Sequence, residues 1–186
     1  RMEKFALTLH PDKTRLIEFG RHAANHRKGR GLGKPETFCF LGFVHICARS
    51  RRGNFQLKRK SRRDRMRAKL KEIKEALRKR MHDSIPAQGK WLAQVIRGYY
   101  NYHAVPTNAR SLSAFRYHVT VLWRRSLKHR SQRDGTTWER IDRLACAYLP
   151  LPRILHPWPE VRFAVTHPRW EPSARIGPAR ICAGGA

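Results

Sequence analysis

The side chains in this chain that could do chemistry are mostly cations, and they fall in clusters. Lys and Arg number 41 against 13 Asp and Glu, a formal charge of +28, and the isoelectric point is near 11.5. The densest cluster spans residues 59–80, where Arg62, Arg63, Arg67 and Lys74 stand beside an apolar stripe. A second runs through Arg124, Arg125, Lys128, Arg130 and Arg133. Lys13, Arg15, the loop at 27–34 and Arg49–Arg52 add smaller groups. Arg offers phosphate a planar bidentate fork and also stacks on bases. Self-repulsion of this size is tolerated most readily when the normal partner is a polyanion. A membrane surface is the competing polyanion, but the basic segment lacks the exposed aromatic face of an interfacial helix. A merely solvated helix face would carry acidic partners one turn away, and Glu72 and Glu75 are too few for that. The bland role for Lys128 and Arg130 is to complement the negative end of a helix dipole. Clusters spread along the chain fit an extended RNA or a hybrid duplex better than one recognition helix in DNA.

Catalytic constellations are not legible. Asp12, Asp64, Asp83, Asp134 and Asp142 are dispersed and do not pair at a spacing that would hold two metals. Gly29, Gly31 and Gly33 sit in a basic loop with no strand just before them, so they do not read as a phosphate loop. His156 and His167 each precede a proline, where contact or capping is the expected role. Cys39, Cys47, Cys146 and Cys182 are scattered with no Cys-x-x-Cys pair, which argues against a zinc site. They are expected to be reduced, mostly buried thiols of a cytosolic protein. No catalytic residue, metal or cofactor is assigned to this chain.

The elements that must position the cations come next. WLAQVIRGYYNYHAVP, residues 91–106, carries Leu92, Val95, Tyr99 and Tyr102 on one helical stripe and Ile96, Tyr100 and His103 on another. It reads as a central helix with Trp91 plugging the bundle, and as one whose Gly98 lets a neighbour approach. Two of its three tyrosines are expected in the core, leaving one free to stack. Met66, Leu70, Ile73 and Leu77 mark a basic helix over about 61–81, its cations reaching back to Arg59. Leu112, Phe115, Val119 and Leu122 mark another over about 111–128. A fourth short helix is expected near 138–148. Upstream, residues 16–19 look strand-like and 21–34 read as a mobile basic loop. TFCFLGFVHICA, residues 37–48, reads as a single strand buried on both faces, followed by a turn at 51–54 and a returning strand. From Leu149 proline density rises, and an extended tail anchored by Trp158 and Trp170 is expected. The fold class is therefore α+β, mainly α, divided at residues 1–58, 59–148 and 149–186. No run of about 18 apolar residues exists to span a membrane, and no signal-peptide pattern opens the chain. Arg1 is not an initiator residue, so a piece of a longer protein is expected.

With these residues laid out, the sequence resembles the C-terminal part of the group II intron reverse transcriptase/maturase family, over nearly its whole length. LTLHPDKTRLIEFG looks like the palm segment after the active-site strand. PETFCFLGF resembles the hairpin that grips the primer, with Phe40, Leu41, Gly42 and Phe43 at its tip. WLAQVIRGYYNYHAVP, FRYHVTVLWRRSLKHRSQR and LPRILHPWP look like the thumb, or maturase-specific, domain. Each stretch alone is weak, and their order makes the likeness specific. Ser173 departs from it, standing where an aromatic is expected. The resemblance implies a basic helical thumb that binds intron RNA, helps it fold for splicing and holds the RNA–DNA template–primer duplex. It implies polymerisation by two Mg²⁺ ions on palm aspartates of a Tyr-Ala-Asp-Asp strand, which this sequence does not contain. Lys13 would act as an accessory acid only in a complete polymerase. The chain alone is expected to be inactive. The rival readings are the tail of an active RNA-directed DNA polymerase, a non-functional intron remnant, and a generic RNA-binding protein. The last leaves FCFLGF unexplained.

Overall fold

Ser84 starts the helix that the others surround. Its hydroxyl accepts from the Ala87 amide at 3.4 Å, and Pro86 sits in the first turn, where its missing N–H costs nothing. The computed structural model describes residues 3–6, 8, 10, 14–130 and 136–158. Within these, helices α1 (Ala23–Gly29), α2 (Arg63–Lys79), α3 (Ile85–His103), α4 (Ala109–Lys128) and α5 (Trp138–Tyr148) accompany strands β1 (Phe38–Phe40), β2 (Phe43–Arg49) and β3 (Phe55–Ser61). The strands form one antiparallel sheet in the order β1-β2-β3. This is an α+β, mainly helical fold, and no helix among the described residues is long and apolar enough to cross a membrane.

The core lies among α2, α3, α4 and α5. Ile73 and Leu77 meet Leu92, Ile96, Tyr99 and Tyr100 from α3. Leu112, Phe115, Val119 and Trp123 close it from α4, with Ile141 and Ala145 from α5. Tyr99 stacks on Phe115 with ring centroids 3.7 Å apart. Tyr99 and Tyr100 are buried and Tyr102 is 51% exposed, the two-to-one division that the stripes predict. The plug, however, is Trp123 and not Trp91. Trp123 is fully buried and donates its indole N–H to Gln88 Oε1 at 3.0 Å. Trp91 is half-buried at the margin, with the Arg80 guanidinium 5.0 Å from its ring centre. The close approach falls at Gly89, where a Cβ would come 2.5 Å from the Tyr148 ring. Gly98 faces open space instead.

Several local expectations need correction. The 37–48 stretch is two strands, because Leu41 and Gly42 both take positive φ (45° and 75°) and reverse the chain in a two-residue turn. Nor is β2 buried on both faces, since most of its residues are only partly covered. β3 continues to Ser61, so the basic helix begins at Arg63 rather than Arg59, and the strand crosses residue 58. Residues 16–19 form no strand. Leu16 is exposed, and Phe19 packs edge-on against Phe38. The basic loop at 21–34 contains α1, whose Ala23 is buried. Cys39 and Cys146 are exposed and Cys47 is half-buried, so these thiols are not mostly buried. Residues 149–158 do run without regular structure along the end of α3, but the contact is not Trp158, which is 46% exposed. The amides of Leu155 and His156 donate to Ala104 O, and the His156 ring donates to Asn101 O at 2.7 Å. Trp170 and Ser173 lie outside the described residues.

Candidate nucleic-acid interface

Met66, Leu70, Ile73 and Leu77 turn the apolar stripe of α2 into the bundle, which leaves its cations outward. Arg63, Arg67 and Lys74 are exposed and have no ion pair among the described residues. Arg62 behaves differently. It precedes the helix and grips Asp64 through two bonds of 3.0 and 2.6 Å. That hydrogen bonding holds the Asp64 carboxyl below its ordinary range and raises the Arg62 guanidinium above its own. Lys69 and Glu72 pair at 2.8 Å.

On α4 the consecutive arginines part company. Arg125 and Lys128 are exposed, whereas Arg124 lays its guanidinium 4.4 Å from the ring centre of Trp138. Arg130 donates to Asp83 O at 2.8 Å and ties the end of α4 to the loop before α3. Lys13 and Arg133 lie outside the described residues. The structure also joins the two clusters. The C-terminal halves of α2 and α4 lie side by side, and Lys74, Arg78, Arg125 and His129 line one groove between them.

The hairpin tip adjoins the other end of this basic face. The Arg62 amide donates to Gly42 O at 3.0 Å, so the first turn of α2 starts from the tip. The Tyr102 hydroxyl donates to Leu41 O at 2.7 Å, and its ring stacks with Phe43. Phe43 is buried and serves as the anchor, while Phe40 and Leu41 are 58% and 67% exposed. His103 stacks on Tyr99 and lies 3.1 Å from Ser61 Oγ, and burial lowers its pKa. Asn108 occupies the capping position of α4 but makes no side-chain cap bond there. Its carboxamide instead accepts from the Ser61 amide at 3.0 Å and donates to Ser61 Oγ and His103 O, each at 2.8 Å. Thr107 Oγ1 accepts from the Arg59 amide at 2.8 Å. Tyr102, Thr107 and Asn108 thus fix the hairpin to the bundle, and the apolar stripes gave no sign of the last two. The only cue was an Asn at a helix start, which ordinarily signals a cap.

Among the described residues the carboxylates do not fit the two Mg²⁺ ions that the resemblance implies for a complete polymerase. Asp64 is held by Arg62, Asp83 lies 3.6 Å from Arg80, and no group of three metal-ligating side chains occurs among the described residues. The chain's own chemistry is that of an electropositive surface with an apolar hairpin tip at one end. Comparison with protein-family models, curated proteins and solved structures yields no match.

Proposed function

We propose that this chain is the RNA-binding, maturase portion of a group II intron-encoded reverse transcriptase. In this reading it works in the cytosol, helps the intron RNA fold for splicing and holds the template–primer duplex. The observation that carries the reading is the juxtaposition of Arg63, Arg67, Lys74, Arg125 and Lys128, exposed and with no ion pair among the described residues, with the exposed Phe40–Leu41 tip. Phosphates lie along the cations, and the tip meets the primer strand when the rest of the palm is present. The chain itself carries no cofactor, Mg²⁺ belonging to the complete enzyme.

The test is salt dependence. Each phosphate neutralised adds roughly 0.7–0.9 to the magnitude of the log–log slope of affinity against salt. Replacing Arg63, Arg67, Lys74 and Lys128 with Gln leaves the apolar stripes intact. It should make the slope shallower by up to about 3–4 units with little change in melting. The loss should be alike for intron and unrelated RNA, because phosphate contacts carry no sequence information. An unchanged slope defeats the reading.

A further inference from the structure

The groove between α2 and α4 has a composition that phosphate binding alone does not require. Its volume is about 700 Å³, within the range of pockets that enclose small organic ligands. Lys74 and Arg78 stand one helical turn apart on one wall, and Arg125 and His129 stand one turn apart on the other. Between these two rows the floor is Leu77, Met81 and Leu122. No carboxylate among the described residues lines it. Ser126 also lines the groove, and its hydroxyl is buried with no hydrogen-bond partner. A helical serine usually satisfies its hydroxyl on the carbonyl one turn back.

A duplex offers this groove only its backbone, since the bases are stacked and paired inside. Phosphates would meet the rim, while the apolar floor and the Ser126 hydroxyl went unused. A nucleotide whose base is unpaired supplies all three complements at once: an anionic backbone, an apolar ring face and a polar edge. We infer that the α2–α4 groove is a pocket for an unpaired base of RNA, with Lys74, Arg78 and Arg125 holding the flanking phosphates. Ser126 then bonds the edge of that base. The inference rests on the RNA-binding reading and narrows it to a bulged or single-stranded nucleotide. The chain's own residues 159–186 are a poor rival occupant, because four Arg against two Glu would be repelled by the rim.

The experiment uses the full chain and two RNA duplexes that differ only by one unpaired 2-aminopurine. The bulged duplex should bind tighter by on the order of tenfold, the effect of burying one base face, with a change in 2-aminopurine emission. Ser126→Leu fills the groove and should remove both the preference and the emission change, leaving affinity for the plain duplex within about twofold. Met81→Glu places a carboxylate on the floor and should act the same way, which serves if Ser126→Leu does not fold. Equal binding of the two RNAs, or a preference that survives a folded variant, overturns the pocket while the RNA-binding reading stands. Binding of neither RNA overturns both. Polyglutamate binding in the groove with no preference between the RNAs would replace the base with an acidic protein segment.

Discussion

In the N-terminal region Arg15 and Arg27 both reach Glu36, and Arg30 and His26 both reach Glu18. On the helical bundle Arg63, Arg67, Lys74, Arg125 and Lys128 reach no carboxylate among the described residues. Both regions are rich in cations by composition, yet they use them differently. In the first, two glutamates gather basic side chains around α1 and the segment before the sheet. In the second, Asp64, Glu72 and Asp83 occupy Arg62, Lys69 and Arg80, Arg124 lies on Trp138, and the five cations just named face solvent. Positive charge density along a sequence is therefore a poor measure of a binding surface. The placement of a few carboxylates decides which cations remain for a ligand.

The sharpest way to break this contrast is to remove what holds the second region in place. Trp123→Ala empties the middle of the core and strips Gln88 Oε1 of its donor. It should cost about 3–5 kcal/mol, and RNA binding should disappear together with the cooperative denaturant transition. Trp91→Ala, at the margin, should cost far less in the same measurement. The reverse outcome would restore Trp91 as the plug.

A smaller effect is expected in the first region. Replacing Arg15, Arg27 and Arg30 with Gln should change the salt slope by less than about one unit. The lost ion pairs are partly exposed and contribute about 0–1 kcal/mol each. A slope change as large as that of the bundle variant would mean that RNA competes successfully with Glu18 and Glu36.

The histidines of the sheet and its seam with the bundle should make stability respond to acid. His103 is lowered from its ordinary pKa of 6.5 by burial, and His45 is lowered by burial and then by Arg59. A histidine depressed in the folded state stabilises fully above its unfolded pKa, and that contribution is lost as pH falls through the folded value. Denaturant midpoints should thus be level above about pH 6.5 and decline below it. His103→Gln should flatten part of the decline.

What was legible in the sequence follows a physical division. The stripes of α2 and α4 and the extent of α5 could be read, because burial imposes a period that one chain segment displays by itself. Trp91 and Trp123 could not be ranked that way, since each lies beside an apolar stripe and only the neighbouring helices decide which is enclosed. Gly89 and Gly98 pose the same problem, resolved by Tyr148 arriving from α5. In the candidate interface, the exposed members of the α2 cluster were readable from their stripe. The fate of Arg124 was not, because it depends on Trp138 from the next helix. The shared groove depends on which helices are neighbours, and no single segment encodes that. The split at Leu41–Gly42 was hidden from the periodicity for another reason, and only the resemblance put a hairpin tip at Phe40–Phe43. A two-residue turn of this kind favours Asn-Gly or Asp-Gly, and Leu-Gly inside an apolar run looks like uninterrupted strand.

That same turn has a thermodynamic consequence. A leucine in the left-handed region carries a penalty of roughly 1–2 kcal/mol, from which asparagine is largely spared by its short polar side chain. Leu41 also recovers little by burial, since two thirds of it faces solvent. At this position the protein holds less stability than its own backbone would allow. The apolar side chain and the conformation that displays it work against each other, and a partner surface that covers Leu41 would relieve the mismatch by supplying the burial that the fold withholds.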